Sequence, residues 1–513
     1  MDPVTISDDA FHQLIVKRSP TLLALASHIS EHKSGTEILI RPLLGELLSQ
    51  SMQIEEVLDA YDARNNCDWC SFRALTAALK LFSDVSYELL HIQHALPAYR
   101  LLSIEHDFSK ATEQALAFTG DVILRTTRQM LVNARQLNIP IPENNSQKSA
   151  YSEHLPPGRL RRHCVSRRGE TVSETVTLLT TAFLNLAADS KQIHTAERIP
   201  AEQYASYVTG SISEEGLRGL QLRFHNLQSM YDTYVSETEA EGLDKDLPVL
   251  RGHISVVFHL LKTATGFAHY YERHMKSKRC DLPPRLVPLI SCEELLAILI
   301  NYSLSYISLY IGCAERLCRT MLKRYAEVGT IEVPVPRYRG FHVRPSTLVS
   351  KLVLHYGSEV RMELDSESYD AGSPLELFRA NEKINAQKRR WLASEILRLK
   401  LIPQNGGGTE IKDIVRSAIL MLVEQNKLVV YEHPLQFSEG LTGNEGTLFE
   451  QVIDEMARLQ ATGKIDINVD INISFTGDKR VLADIKLLAE SGYGEDKFGN
   501  NISLPEKLTY LKQ

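Results

Sequence analysis

A histidine and an arginine stand two residues apart in the segment Gly340-Phe341-His342-Val343-Arg344-Pro345-Ser346. Proline is common in the first turn of a helix, so the segment predicts a helix that begins just after His342. A helix N-terminus attracts phosphate through its unpaired N–H groups and its positive dipole end. A histidine there can accept a phosphoryl group on a ring nitrogen, and Arg344 can bind the phosphoryl oxygens through charge-assisted hydrogen bonds. The segment therefore predicts a phosphohistidine site.

The flanking sequence predicts the elements that would hold this site. Strand-like alternation precedes the histidine, and a second alternating run places Val360, Met362 and Leu364 on one face. The predicted elements are, in order, a strand at 330–336, a helix after Pro345, a strand at 358–364, a helix opened by Ser373, a strand at 397–402, a glycine-rich turn at 406–408 and a helix at 409–425.

The motif and this order of elements resemble HPr, the histidine-containing phosphocarrier family of the bacterial phosphotransferase system. The resemblance covers roughly residues 328–433 and implies a βαββαβα open-faced sandwich. It also implies that His342 is the phosphoacceptor and that Arg344 covers the phosphoryl group. By the same resemblance, the phosphate-binding residues are Gly340, Ser346 and Thr347.

A protein of this kind takes a phosphoryl group from one partner and passes it to another. The resemblance therefore implies a phosphoryl carrier or regulator rather than a turnover enzyme, with no metal and no cofactor. The implied donor is an Enzyme I-like protein, and the acceptor or target protein is not identified by the sequence. Nor does the sequence indicate the oligomeric state or the role of the helical half.

Two features depart from the family pattern or allow two interpretations. Ser373 occupies the place of the family's regulatory serine, but a serine before Pro374 is also a good helix N-cap. Both roles stay open. The segment near 379–395 is longer and more basic than the family's short second helix and turn, which predicts an insertion on the face that docks partners.

The length of 513 residues predicts several domains. Residues 1–327 carry long apolar runs at helical spacing, which predict an antiparallel helical bundle with a possible subdivision near 139–170. The HPr-like segment at 328–433 follows. Residues 434–513 predict a small α/β extension whose clearest strand is the alternating run at 464–475. One strand cannot stand alone, so it should join the HPr-like sheet or pair with 427–431.

Composition narrows the class of protein. A net charge of −7 argues against a general nucleic-acid binder. The chain shows no secretory leader and has seven cysteines, so we expect a cytoplasmic protein with reduced thiols. The uncharged run at 295–314 is long enough to cross a bilayer. Its polar residues fit a buried bundle helix better, so we expect no membrane partner.

The sequence supports two main hypotheses for the function. In the first, phosphorylation of His342 is relayed or signals through the helical half of a phosphotransferase-related regulator. In the alternative, the HPr-like module binds or scaffolds partners without being phosphorylated, and His342 is covered. An enzyme in the helical half is a third possibility, but no nucleophile–base set or phosphate loop supports it.

Overall fold

The computed structural model divides the chain into two compact units, Met1–Met321 and Leu322–Gln513. The structure describes residues 5–142, 171–194, 199–210, 212–275, 289–403, 410–432, 434–437 and 446–512. Most of the possible subdivision at 139–170 and the predicted glycine-rich turn at 406–408 lie outside the described residues.

The described part of the first unit is built from helices, as the apolar spacing predicts. The predicted mostly helical fold with a small antiparallel sheet is confirmed by the strands of the second unit together with the helices of the first unit. Its helices are α1 Asp8–Arg18, α2 Pro20–Ser30, α3 Arg41–Ala60, α4 Cys70–Ala95, α5 Phe108–Gln136, α6 Val172–Asp189, α7 Lys191–His194, α8 Tyr204–Gly210, α9 Glu214–Tyr234, α10 Glu239–Leu243, α11 Asp246–Tyr270, α12 Cys292–Ala297 and α13 Ser305–Arg324.

Helix α4 lies at the centre of this unit, packed against α3, α5 and α11. Most of its length is buried, including polar residues on several faces. Thr76 and Ser83 satisfy their hydroxyls by donating to carbonyls one turn back, at 2.8 and 2.6 Å. A helix that is covered on so many sides needs such internal partners, because an unpaired buried hydroxyl is costly.

One helical stretch, Cys292–Arg324, is long and apolar enough to cross a membrane by length and composition. Within the protein, 67% of its most apolar 18-residue window is buried. Buried core helices meet the same length and composition test. Residues Ile298–Leu304 within this stretch are π-helical.

The second unit contains a four-stranded sheet whose strands are all antiparallel to their neighbours. It is formed by β1 Val328–Pro334, β2 Val360–Leu364, β3 Glu367–Asp370 and β6 Asn472–Asp478, in the order β1-β6-β2-β3. Two helices of this unit, α15 Pro374–Arg398 and α18 Lys479–Glu490, contact the sheet, and α14 Val343–Tyr356 packs against both of them. Strand β2 alternates buried and exposed residues, which confirms the predicted apolar face of Val360, Met362 and Leu364.

The strand predicted at 397–402 is wrong. Helix α15 runs without a break to Arg398, and the chain then turns at Leu399 and Lys400. The basic segment at 379–395, predicted as an insertion, is therefore the interior of one 25-residue helix. The reason is that its apolar residues recur at helical spacing, and no glycine or proline interrupts them before Pro403.

A second, smaller sheet forms later in the chain, where β4 Leu428–Val430 pairs with β5 Ile465–Ile467. Helices α16 Ile411–Glu424 and α17 Leu448–Ala461 pack on it, and the end of α15 shares their apolar core. The predicted helix at 409–425 is thus confirmed as α16.

The single strand predicted at 464–475 is two strands in two sheets. The chain leaves the small sheet at Asn468, where the N–H donates to the Lys427 carbonyl. It enters the large sheet at Asn472. Strand β6 then lies between β1 and β2. Both pairings considered for this run therefore occur, because residues 434–513 supply a central strand of the large sheet and the strand that pairs with Leu428–Val430 in the small one.

Candidate functional site

The imidazole of His342 lies at the start of α14, as the sequence predicts. His342 is the N-cap in an extended conformation, and the helix begins at Val343. The N–H groups of Val343 and Arg344 are in the first turn and have no intrahelical acceptor. Pro345, the third helical residue, has no N–H, and the Ser346 N–H already donates to the His342 carbonyl at 3.2 Å. Two backbone donors are thus left to bind an anion.

A carboxylate holds one nitrogen of the histidine ring. Glu495 Oε2 lies 2.7 Å from His342 Nε2, and the two side chains are 6% and 24% exposed. Because a carboxylate only accepts hydrogen bonds, Nε2 carries the proton. In the neutral ring the lone pair then belongs to Nδ1. The pair therefore fixes which nitrogen can act as a nucleophile.

Arg344 is anchored to the same turn that carries Glu495. Its Nε donates to the Gly494 carbonyl at 3.2 Å. Across the described residues, the two terminal nitrogens of Arg344 have no hydrogen-bond partner. These nitrogens are free to bind oxygens of a group attached to the neighbouring imidazole.

The turn at Gly492–Gly494 is fixed by its central tyrosine. Tyr493 is buried, and its hydroxyl donates to the Pro334 carbonyl at 2.8 Å. Burial raises the pKa of Tyr493, so the hydroxyl stays protonated as a donor. Its ring packs edge-on against Phe341, next to the histidine, at 5.6 Å between centroids. The turn and the histidine loop are therefore held as one structure.

A buried amide locks the backbone just before the histidine. Asn381 Oδ1 accepts the Phe341 N–H at 2.9 Å, and its Nδ2 donates to the Arg339 carbonyl at 3.0 Å. Both Arg339 and Gly340 have positive φ, at 54° and 64°. A Cβ at Gly340 would clash with Asn381 Oδ1. Glycine is thus required here both for its backbone conformation and for the close approach of Asn381.

Replacing Gly340 with Ala should destabilise the second unit by about 2–4 kcal/mol, because it adds left-handed backbone strain to a clash with a buried amide. Thermal unfolding measures the loss. Gly329→Ala is the matched control, since a Cβ there meets mainly the flexible side chain of Lys479. Equal stability of the two variants would contradict the proposed lock.

A buried ion pair ties the small sheet to the same loop. Lys388 Nζ lies 3.0 Å from both carboxylate oxygens of Asp466, and the side chains are 4% and 5% exposed. Asp466 Oδ2 also accepts the Arg339 N–H at 3.0 Å. Strand β5, which carries Asp466, therefore positions the backbone three residues before His342.

The two hydroxyls predicted to bind phosphate contact the backbone instead. Ser346 is fully buried, and its Oγ donates to the Phe341 carbonyl at 2.8 Å. Thr347 Oγ1 donates to the Val343 carbonyl at 2.6 Å. The structure therefore gives both hydroxyls a role in shaping the loop and the first helical turn.

Ser373 caps α15. Its hydroxyl accepts the Glu376 N–H at 3.4 Å, and Pro374 is the first helical residue. The capping interpretation is confirmed, and phosphorylation of Ser373 stays a prediction.

Sequence reasoning missed Glu495, Asn381 and the Lys388–Asp466 pair. The separations between these residues and the histidine loop run from 40 to 153 positions, so no local spacing indicates them. The one available signal was the run Gly492-Tyr493-Gly494-Glu495, because glycines on both sides of a tyrosine are typical of a tight turn with a specific role.

No family model, no curated protein and no solved structure matches this chain. Its function is therefore inferred from the geometry of the site.

Proposed function

We propose that the protein is a phosphotransferase-type regulator or phosphocarrier that accepts a phosphoryl group on Nδ1 of His342. The observation that carries the proposal is the placement of His342 at the start of α14 with Nε2 held by Glu495. This arrangement supplies a defined nucleophile next to a group of anion-binding donors.

The chemistry follows from those contacts. Nδ1 attacks the phosphorus as the N–P bond to the donor's histidine breaks, and the donor ring leaves neutral. The ring of His342 gains positive charge, which the Glu495 carboxylate stabilises through Nε2–H. The phosphoryl oxygens meet the N–H groups of Val343 and Arg344 and the guanidinium of Arg344. Catalysis is mostly orientation and charge stabilisation.

The order of elements also supports an HPr-like module, though at different residues from those expected. Setting residues 399–471 aside, the second unit runs β1, α14, β2, β3, α15, β6, α18, which is a βαββαβα order. In this proposal β6 is the fourth strand and α18 the last helix. The small sheet with α16 and α17 is then the insertion.

One observation favours the alternative of a binding or scaffold protein that is not phosphorylated. His342 is already paired with Glu495, and only about a quarter of its side chain is exposed. A donor must therefore reach Nδ1 in a partly covered ring.

The test is incubation of the full chain with Enzyme I and radiolabelled phosphoenolpyruvate, with an ordinary HPr as the positive control. We expect acid-labile label on the chain, phosphorus NMR shifts of an Nδ1-phosphohistidine, and complete loss of label in His342→Ala. No label on the chain while HPr is labelled would reject the proposal in favour of the scaffold. Label on Nε2 would reject the role assigned to Glu495.

A further inference from the structure

A cavity of about 640 Å³ lies in the second unit beside the small sheet. Its walls are largely apolar and come from α16, β4 and the segment after Glu495. Leu420 and Phe498 are 56% and 52% exposed at this cavity, which is high for such large apolar side chains. The volume is within the range of about 300–1,000 Å³ that is usual for sites that bind small organic molecules.

Three cationic side chains line the same cavity. Arg416 lies over the Phe437 ring at 5.6 Å and makes an exposed contact with Asp413 at 3.4 Å. Across the described residues, Arg337 and Lys497 have no carboxylate partner. Among the described residues, two of the three cations therefore lack a carboxylate partner, and the exposed Asp413 pairs with the third, so positive charge is in excess at the cavity.

The acid in the wall does not cancel that charge. Asp466 is bonded to Lys388 on both oxygens and also accepts the Arg339 N–H. Its charge is therefore already balanced by a buried lysine. A ligand entering the cavity meets an excess of cations.

A buried polar group in the wall also lacks a partner. The Tyr431 hydroxyl is buried and has no hydrogen-bond partner among the described residues. An unpaired buried hydroxyl is unfavourable, so a hydrogen bond to an oxygen atom brought by a ligand contributes more here than at an exposed site.

We propose that this cavity binds a small organic anion that has one charged head and an apolar body. The head would contact Arg337, Arg416 and Lys497, and the body would lie against Leu420 and Phe498. The charge excess and the apolar walls together favour this class over two others. A neutral apolar molecule leaves the cations without a counter-charge, and inorganic phosphate leaves the apolar walls uncovered.

The cavity is linked to the histidine by packed rings and by the chain. The rings of Tyr431 and Tyr338 lie 5.0 Å apart, and those of Tyr338 and His342 lie 5.3 Å apart. Lys497 is two residues after Glu495, and a neighbouring cavity of about 530 Å³ is lined by both. Binding of the anion does not require phosphorylation of His342, so the two proposals can fail separately.

The test compares two fluorescent probes on the full chain. Anilinonaphthalene sulfonate has an apolar ring system with a negative head, and phenylnaphthylamine has the same rings without the charge. We expect saturable binding of the sulfonate at one site per chain, with the neutral probe binding at least about tenfold more weakly. A tenfold difference corresponds to about 1.4 kcal/mol.

Matched variants assign the binding to this cavity. Arg337→Gln and Lys497→Gln should each weaken the sulfonate probe by about three- to tenfold, and Leu420→Asn should weaken both probes. The controls are Arg390→Gln and Leu397→Asn, which change an exposed cation and an exposed leucine on α15 outside the cavity. Competition by decanoate but not by decanol confirms the need for a charged head. Equal affinity for the two probes, or equal effects of cavity and control variants, overturns the proposal.

Discussion

Replacing Glu495 with Gln is expected to slow phosphorylation of His342 by about ten- to a hundredfold. The carboxylate lies 2.7 Å from Nε2 and is almost fully buried, so its hydrogen bond is charge-assisted and poorly screened. Glutamine keeps the shape and can still accept from Nε2–H, but it cannot stabilise the positive ring that forms when Nδ1 takes the phosphoryl group. Hydrogen bonds to charged groups contribute about 1.5–3 kcal/mol, which gives the expected factor.

The measurement is the initial rate of label transfer from phosphorylated Enzyme I under single-turnover conditions. Glu490→Gln is the matched control. It removes the same charge from an exposed residue at the end of α18 that does not contact the histidine. The control should keep the rate of the unchanged protein. A faster rate in Glu495→Gln would mean that the carboxylate mainly repels the incoming phosphoryl group, and the role assigned to it would be wrong.

Replacing Lys388 with Met should destabilise the second unit by about 3 kcal/mol. The substitution leaves the Asp466 carboxylate buried without its cation, and removing one partner of a buried pair is strongly destabilising. The Arg339 and Ile467 N–H groups still bond Asp466, which keeps the loss at the lower end of the usual range. Adding Asp466→Asn should recover more than half of the loss, because the buried charge is then removed.

Unfolding in urea can be followed at a single tryptophan. The chain has two tryptophans, and Trp391 packs against the core of the small sheet. A Trp69→Phe background therefore makes the fluorescence report on the second unit. Lys383→Met is the control, since Lys383 pairs with Glu367 at the surface and should change stability by less than about 1 kcal/mol. A similar loss in both variants would show that burial of the Lys388 pair is not the cause.

Local patterns predicted the local parts of the site. The helix start at Val343, the alternating face of β2 and the cap at Ser373 each depend on residues within a few positions of one another. Such features follow from backbone geometry and side-chain period, which a single sequence records directly. His342 and Arg344 were identifiable for the same reason.

The strand at 397–402 failed because a short apolar run fits a strand and a helix end equally well. Arg398 belongs to a helix whose earlier turns already pack on the sheet, so the tertiary contacts decide the choice. The sequence did not predict the partner of His342, for a different reason. Glu495 reaches the ring only because β6 and α18 bring the end of the chain back to the first strand, and a separation of 153 residues leaves no local trace.

Because β6 comes late in the sequence, its neighbouring strands stay unpaired for a time during synthesis on the ribosome. Thr330 and Thr476 face each other across β1 and β6, with their hydroxyl oxygens 3.0 Å apart, and are separated by 146 residues in the sequence. At about 5–20 residues per second, the nascent chain exposes β1 for about 7–30 seconds before its neighbour is made. Until β6 is made, β1 and β2, which is synthesised after β1, each have an open edge that can pair with other chains. Premature stop codons before Asn472 should therefore yield aggregated products even when every earlier element has been synthesised.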